Sequence, residues 1–135
     1  MSYIVHTNTD RMDLPWLIEQ LQKSYWGKWL KPEQIGLAVD ASLCFWIYHF
    51  EGERREPVGF ARVVTDGAIF SSITDFFIVK EYRHNGLGRL LMEHMLTHPV
   101  LARTGCILNT RDAAGFYARF GFRPVTDAVL LRQPT

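Results

Sequence analysis

The sequence predicts a mixed α/β fold: an antiparallel meander, then a β-α-β crossover, with helices flanking the sheet. Three observations carry this. The run "LCFWIYHF" over 43–50 is unbroken aromatic and β-branched sequence, too short for an ordinary helix, and fits a strand covered on both faces. "VGFARVVT" and "AIFSSITDFFIV" follow it, separated by Asp66-Gly67, a pair suited to a two-residue hairpin turn because that turn wants positive φ. Leu87, Leu90, Leu91 and Met95 then recur at helical spacing before the apolar run "GCILNT", and a strand-helix-strand connection is right-handed and makes its two strands parallel.

The remaining elements follow in chain order. Tyr3 to His6 reads as a short first strand. "DLPWLIEQLQKSYW" places Leu14, Leu17, Ile18 and Leu21 on one helical face, with Asp13 as the cap and Pro15 tolerated in the first turn. A second helix starts near Pro32 and turns Ile35, Ala38 and Val39 inward. The charged loop "EGERRE" reverses the chain between the second and third strands. Pro99 ends the helix that begins after the glycines, since proline cannot continue it. Asp112 is the expected cap of a last helix, in which Ala113, Phe116, Tyr117 and Phe120 share a face and Gly121 is the stop. "AVLLRQ" is expected to close the sheet. The chain shows no repeat, low-complexity tract or linker, so residues 1–135 read as one domain, long enough to bury roughly two thirds of its unfolded surface.

Charge and composition exclude several classes. Fifteen Lys and Arg stand against 14 Asp and Glu, so no whole-surface field attracts nucleic acid or an anionic membrane, and any basic site is local. No apolar stretch reaches about 18 residues, and "MSYIVHTNTD" lacks the form of a secretion signal, so a soluble cytoplasmic protein is expected. Cys44 and Cys106 lie in apolar runs without metal-ligand spacing and read as reduced core cysteines. His94 and His98 share a helix face, yet no third ligand or His-Glu-x-x-His pattern accompanies them; a solvated or partly packed pair is expected, and no metal.

The most informative stretch is "EYRHNGLGRLLMEHML" over 81–96, where a buried strand gives way to a helix. A helix N-terminus exposes unpaired amides and the positive end of the helix dipole. Gly86 and Gly88 clear side chains from the approach of an anion and tolerate backbone angles that curl amides around it, while Arg83 and Arg89 add charge on either side. The combination suits a pyrophosphate. It is neither a Walker loop nor a good dinucleotide fingerprint: the third glycine position is Leu91, and no acid follows about 20 residues later. Two glycines alone would mark only a helix start; their place after a strand and before an amphipathic helix favours phosphate.

In "DFFIVKEYRHNGLGRLLMEHML" the spacing Arg83-x-x-Gly86-x-Gly88 resembles the cofactor motif of the GNAT-type N-acetyltransferases, and "DAAGFYARFGF" resembles their C-terminal motif, a helix with a tyrosine that ends in Gly-Phe. The resemblance covers about residues 43 to 123. It implies a GNAT-like central sheet in which the strand ending near Val79 splays from the parallel strand starting near Gly105, with acetyl-coenzyme A in the gap. It further implies that the pantetheine arm bonds the main chain of Phe77, Ile78 and Val79, and that the pyrophosphate meets amides of His84, Asn85, Gly86, Leu87, Gly88 and Arg89, with Arg83 beside them.

The implied activity is acetyl transfer to a primary amine of a small molecule, peptide or protein, with no nucleic-acid or membrane partner and with a homodimer left open. A strand amide near Ile78 would polarise the thioester carbonyl. Tyr117, at the position of the family tyrosine, is either the proton donor to sulfur or a core aromatic, and the motif match favours the donor. Asp75, a carboxylate in an otherwise apolar strand, is either a base or a structural hydrogen-bond acceptor. One departure stands out: Thr110 occupies a position where the family often has Asn, and the neighbouring Asn109, pointing the other way on a strand, does not inherit that role. Trp16, Tyr25, Trp26 and Trp29 crowd the first helical region, but large aromatics are more often core than pocket wall, so none is assigned to the acceptor. The rival to catalysis is a silent acyl-coenzyme A-binding sensor module.

Overall fold

The computed structural model describes residues 2–7, 13–125 and 129–134. Its elements run β1 (Ser2–Thr7), α1 (Leu14–Lys23), α2 (Pro32–Asp40), β2 (Leu43–Glu51), β3 (Arg54–Thr65), β4 (Phe70–Ile78), a 3-10 turn (Lys80–Tyr82), α3 (Leu87–Thr97), α4 (Pro99–Arg103), β5 (Gly105–Ile107) and α5 (Ala114–Ala118). The strands lie side by side in chain order, antiparallel from β1 to β4, and β5 joins β4 in parallel. The expected mixed α/β sheet with its crossover is thus observed.

The period of 2 along β2 explains its continuous apolar run. Cys44, Trp46 and Tyr48 face one side and pack with Leu17, Leu21, Ile35 and Val39 of α1 and α2. Phe45 and Ile47 face the other side and join Leu87, Leu91, Met92 and Met95 of α3. Each of these large side chains, buried on either face, contributes about 1.5–3 kcal/mol, so the two layers lock β2 to β4 into a stiff platform. At Gly59 the platform is tight: a Cβ there would lie 2.4 Å from Ile47 Cγ2 and 2.6 Å from Ile78 Cδ1.

Several expectations need correction. The two-residue turn forms not at Asp66-Gly67 but at Gly52-Glu53, inside the supposed charged loop, because β3 starts at Arg54 and pairs Glu51 with Arg54. Asp66 instead opens a four-residue turn in which its Oδ1 accepts the amides of Ala68, Ile69 and Phe70 at 2.9, 2.7 and 3.1 Å. This side-chain closure replaces the tight hairpin. Asp13 sits at the N-cap of α1 without capping it; its carboxylate accepts the Tyr48 hydroxyl at 2.7 Å. Pro99 stops α3 and also starts α4, where its fixed φ and missing N–H cost nothing. Asp112 is not the cap of α5: Ala113 takes the N-cap position, and its amide donates to Thr110 Oγ1 at 3.0 Å. Among the described residues the sheet ends at β5, shorter than expected. Of "AVLLRQ", Ala128 lies outside the described residues and 129–133 form no strand, with Val129, Leu130 and Leu131 exposed.

Candidate active site

The site begins with a partial pairing. β4 and β5 are bonded only over Phe70–Ser72 and Gly105–Ile107; beyond Ile107 the chain leaves β4 without a parallel neighbour. The resulting gap is a cavity of about 740 Å³ walled by Ile73 to Phe76 on one side, Leu108 to Thr110 on the other, and Tyr25, Trp26 and Tyr117 at its ends. That size and mixed lining suit a substrate-sized molecule.

Asp75 owes its place in the wall to a β-bulge. Phe60 pairs with Phe77 and Arg62 with Thr74, so Asp75 and Phe76 together oppose Ala61. At the bulge Asp75 adopts φ 53, a left-handed conformation that aspartate tolerates better than most residues. Its carboxylate is anchored from both sides: Oδ2 accepts Arg62 Nε at 2.8 Å and Oδ1 accepts Trp26 Nε1 at 3.2 Å. Arg62 also donates to Ser42 Oγ at 3.2 Å. A charge-assisted bond contributes roughly 1.5–3 kcal/mol, enough to offset the ~1–2 kcal/mol cost of a left-handed non-glycine residue. A carboxylate has about four acceptor positions, so two remain for a ligand.

Tyr117 projects from α5. Its ring packs edge-on against Phe76, Phe116 and Phe122 at centroid distances of 6.0, 5.1 and 6.0 Å. Burial pushes its phenol above the ordinary value of 10.0, so it keeps its proton at neutral pH. The hydroxyl has no hydrogen-bond partner among the described residues, and Tyr117 lines the cavity.

At the other end of β4 the main chain turns its donors outward. Val79 N–H donates to Val58 C=O at 2.9 Å and Val79 C=O accepts from Tyr82 N–H at 3.0 Å, so both of its backbone groups are engaged internally. Because a strand's amides alternate in direction, the bond from Val79 N–H to β3 turns the Ile78 N–H away from β3, to the edge that β5 leaves open, and the Phe77 N–H toward β3. Of the three strand residues implied to bond a pantetheine arm, Ile78 is the one whose amide is available.

The glycine junction has the shape an anion needs. His84 and Gly86 both take left-handed angles, φ 66 and 75, and Gly86 forms the N-cap of α3. The first bond of that helix is Leu90 N–H to Gly86 C=O, so Leu87, Gly88 and Arg89 stand before the ladder. No amide from His84 to Arg89 donates to another backbone carbonyl among the described residues. A Cβ at Gly88 would lie 3.4 Å from the Phe116 ring, an ordinary contact, so packing alone does not require glycine there. The flanking cations are tied down. Arg83 Nε donates to Ile78 C=O at 2.9 Å, and Arg89 Nε pairs with Glu93 at 2.6 Å on an exposed face, where such a pair contributes only ~0.3–0.5 kcal/mol.

The remaining candidates separate cleanly. Trp16 is half-buried against Trp46 and Phe77, with centroid distances of 6.5 and 5.8 Å, whereas Tyr25 and Trp26 line the cavity. The Arg111 guanidinium lies 4.2 Å from the Tyr25 ring centre and spans the cavity mouth. His94 and His98 flank Phe45, and His98 Nδ1 accepts the Val100 amide at 3.1 Å as the cap of α4. Arg62 is not singled out by the sequence, whereas Trp26 stands there among unassigned aromatics and Thr110 only as a departure from the family pattern. An arginine at an inward strand position close to a lone strand aspartate is the signal that could have found the first.

The sheet splits beside its parallel strand, and unpaired amides curl at the start of the next helix. The profile of the acetyltransferase (GNAT) domain matches residues 41–124, and the chain belongs to that family. The crystal structure of a GNAT-family protein from Xanthomonas campestris pv. campestris superposes with a TM-score of 0.82 at 34% identity, covering 97% of this chain and 94% of that one. A Staphylococcus aureus protein of unknown function shares the fold at a TM-score of 0.74 and 18% identity, covering 98% and 100% of the two chains. A Gibberella zeae protein named as an acetyltransferase is 28% identical over 83 residues, and the match spans 51% of this chain and only 47% of that relative's length.

Proposed function

We propose that this chain is an acetyl-coenzyme A-dependent N-acetyltransferase acting directly on a primary amine of a small molecule, peptide or protein. Two features of one strand and the turn after it carry the reading: β4 is paired with β5 only as far as Ser72, and the turn that follows Ile78 ends in amides, His84 to Arg89, that donate to no backbone carbonyl among the described residues. The residues fit the coenzyme, since a pantetheine arm can add to the open edge of β4 while the curled loop receives a diphosphate. Bound there, acetyl-coenzyme A supplies an activated acyl thioester.

The chain's own groups divide the remaining work. The Ile78 N–H is the oxyanion donor, fixed by the pairing of β4 with β3. Tyr117 Oη, kept protonated by burial, holds the proton for the leaving group. Asp75 receives the amine's proton on an acceptor position left free by Arg62 and Trp26, directly or through water. Two free cysteines, one with its thiol pushed up to about 12 by desolvation, suit a reducing compartment, and we place the activity in the cytoplasm. The double engagement of Asp75 also favours a second reading, a silent acyl-coenzyme A-binding module.

Incubation with acetyl-coenzyme A and a panel of amines tests the proposal: thiol release with at least one amine, and a rise in melting temperature with the coenzyme, are expected. Neither occurring would refute it. A rise in melting temperature without turnover, unaffected by Tyr117→Phe and Asp75→Asn, would establish the silent module instead.

A further inference from the structure

We infer that Tyr82, Glu56 and His49 form a brace that holds the loop His84–Arg89 in its anion-receiving shape. These are positioning residues for the coenzyme's diphosphate, and the inference rests on the proposed reading of that loop.

Tyr82 ends the 3-10 turn that leads from β4 into the loop. Its N–H donates to Val79 C=O at 3.0 Å, and its C=O accepts Asn85 Nδ2 at 3.3 Å, so its main chain fastens the loop at the entry. Its hydroxyl donates to Glu56 Oε1 on β3 and lies 3.3 Å from His49 Nδ1 on β2. Tyr82 has a single hydroxyl proton, which goes to the carboxylate. With that proton directed at the carboxylate, the Tyr82 oxygen can accept a hydrogen bond from His49 Nδ1.

The brace is rooted in three adjacent strands. Tyr3 pairs with His49 across β1 and β2, and His49 pairs with Glu56 across β2 and β3. The rings of Tyr3, His49 and Tyr82 pack against one another, Tyr3–His49 and His49–Tyr82 tilted at centroid distances of 5.2 and 5.4 Å and Tyr3–Tyr82 edge-on at 6.4 Å. Arg54 on β3 completes the set of ionisable groups around Glu56 and Tyr82. His49 is buried, and its Nε2 and the Tyr3 hydroxyl lack hydrogen-bond partners among the described residues.

The loop needs such support. His84 is a non-glycine residue at φ 66, two positions before Gly86 at φ 75, and this kind of geometry persists only where the surroundings over-determine it. The bonds from Arg83 to Ile78 and from Asn85 to Tyr82 are local to the segment itself. The hydroxyl of Tyr82 ties that segment to the distant side of the sheet, so its removal frees the turn to relax while the ring still fills its site.

The test compares Tyr82→Phe, Glu56→Ala and Glu56→Gln with the unaltered protein, using calorimetric titration with coenzyme A and kinetics with two donors, acetyl-coenzyme A and acetyl-pantetheine, which lacks the diphosphate. Tyr82→Phe and Glu56→Ala are each expected to weaken coenzyme A binding about tenfold, the equivalent of one lost charge-assisted hydrogen bond. The double variant Tyr82→Phe/Glu56→Ala should be no weaker than either single one, and Glu56→Gln, which keeps an acceptor, should stay within about twofold of the unaltered protein. The kcat at saturating acetyl-coenzyme A and the kcat/KM for acetyl-pantetheine should not change. Unaltered coenzyme A affinity in both Tyr82→Phe and Glu56→Ala would overturn the brace, as would equal losses with the two donors. Failure of the unaltered protein to bind coenzyme A would instead remove the phosphate reading itself, and the brace with it.

Discussion

Replacing Asp75 by asparagine probes the wall of the cavity at a single atom. Arg62 Nε lies 2.8 Å from Asp75 Oδ2, with the two side chains 20% and 6% exposed, so the pair is largely shielded from water. Asparagine can still offer one oxygen to Arg62, but the carboxylate charge opposite the guanidinium is lost. Exchanging an ion-paired hydrogen bond for one with a single charged partner in this shielded setting costs about 1.5–2.5 kcal/mol. Unfolding entropy is about 2.1 cal/mol/K per residue, so for 135 residues each kcal/mol moves the melting temperature by about 3.5 °C. Calorimetric melting should therefore show a fall of about 5–9 °C. In a double-mutant cycle, Arg62→Met should recover at least ~1 kcal/mol of the loss as coupling between the two positions. The same variant reports on catalysis: with Asp75 as proton acceptor, kcat falls by about 10²–10⁴. A melting curve identical to that of the unaltered protein, with no coupling to Arg62, would refute the view that this ion pair fixes the bulge.

Other expectations follow from the same geometry. Tyr117→Phe should lower kcat by about 10² or more with little change in KM for acetyl-coenzyme A, and because burial raises the tyrosine above 10.0, the pH–rate profile of the unaltered protein should show no descending limb below that pH. Glu56 is held below its ordinary 4.5, chiefly by the Tyr82 hydroxyl, so its stabilisation is fully present above pH 4.5 and is lost as the pH falls through the lower folded value. Thermal melts from neutral to acid pH should drop more shallowly there in Tyr82→Phe, by a modest amount because the Glu56 side chain is 40% exposed. Gly59→Ala forces a methyl to within 2.4 Å of Ile47, and overpacking of this kind should cost about 1–3 kcal/mol in a denaturant titration.

Much of the fold was legible because its signals are local. The unbroken run at 43–50 and the helical spacing of Leu87, Leu91 and Met95 reflect burial on fixed faces, and both elements stand where these patterns place them. Turn chemistry was less legible, since Asp66 had two ways to close a hairpin and the choice of side-chain closure depends on where β4 resumes pairing. The same limit separates the parts of the site. The motif Arg83-x-x-Gly86-x-Gly88 marks the proposed phosphate loop from sequence neighbours alone. The partners of Asp75 lie 13 and 49 positions away, and those of Tyr82 lie 26 and 33 away, so only the folded sheet brings them together. Which of Phe77, Ile78 and Val79 offers an amide likewise depends on pairing to β3, which places Val79 N–H on Val58.

A crystal structure of the protein with coenzyme A measures the central proposal directly. The diphosphate is predicted within hydrogen-bonding distance of main-chain nitrogens between His84 and Arg89, with the pantetheine arm alongside Ile78. A diphosphate bound anywhere else on the surface, with those nitrogens facing only solvent, would contradict it.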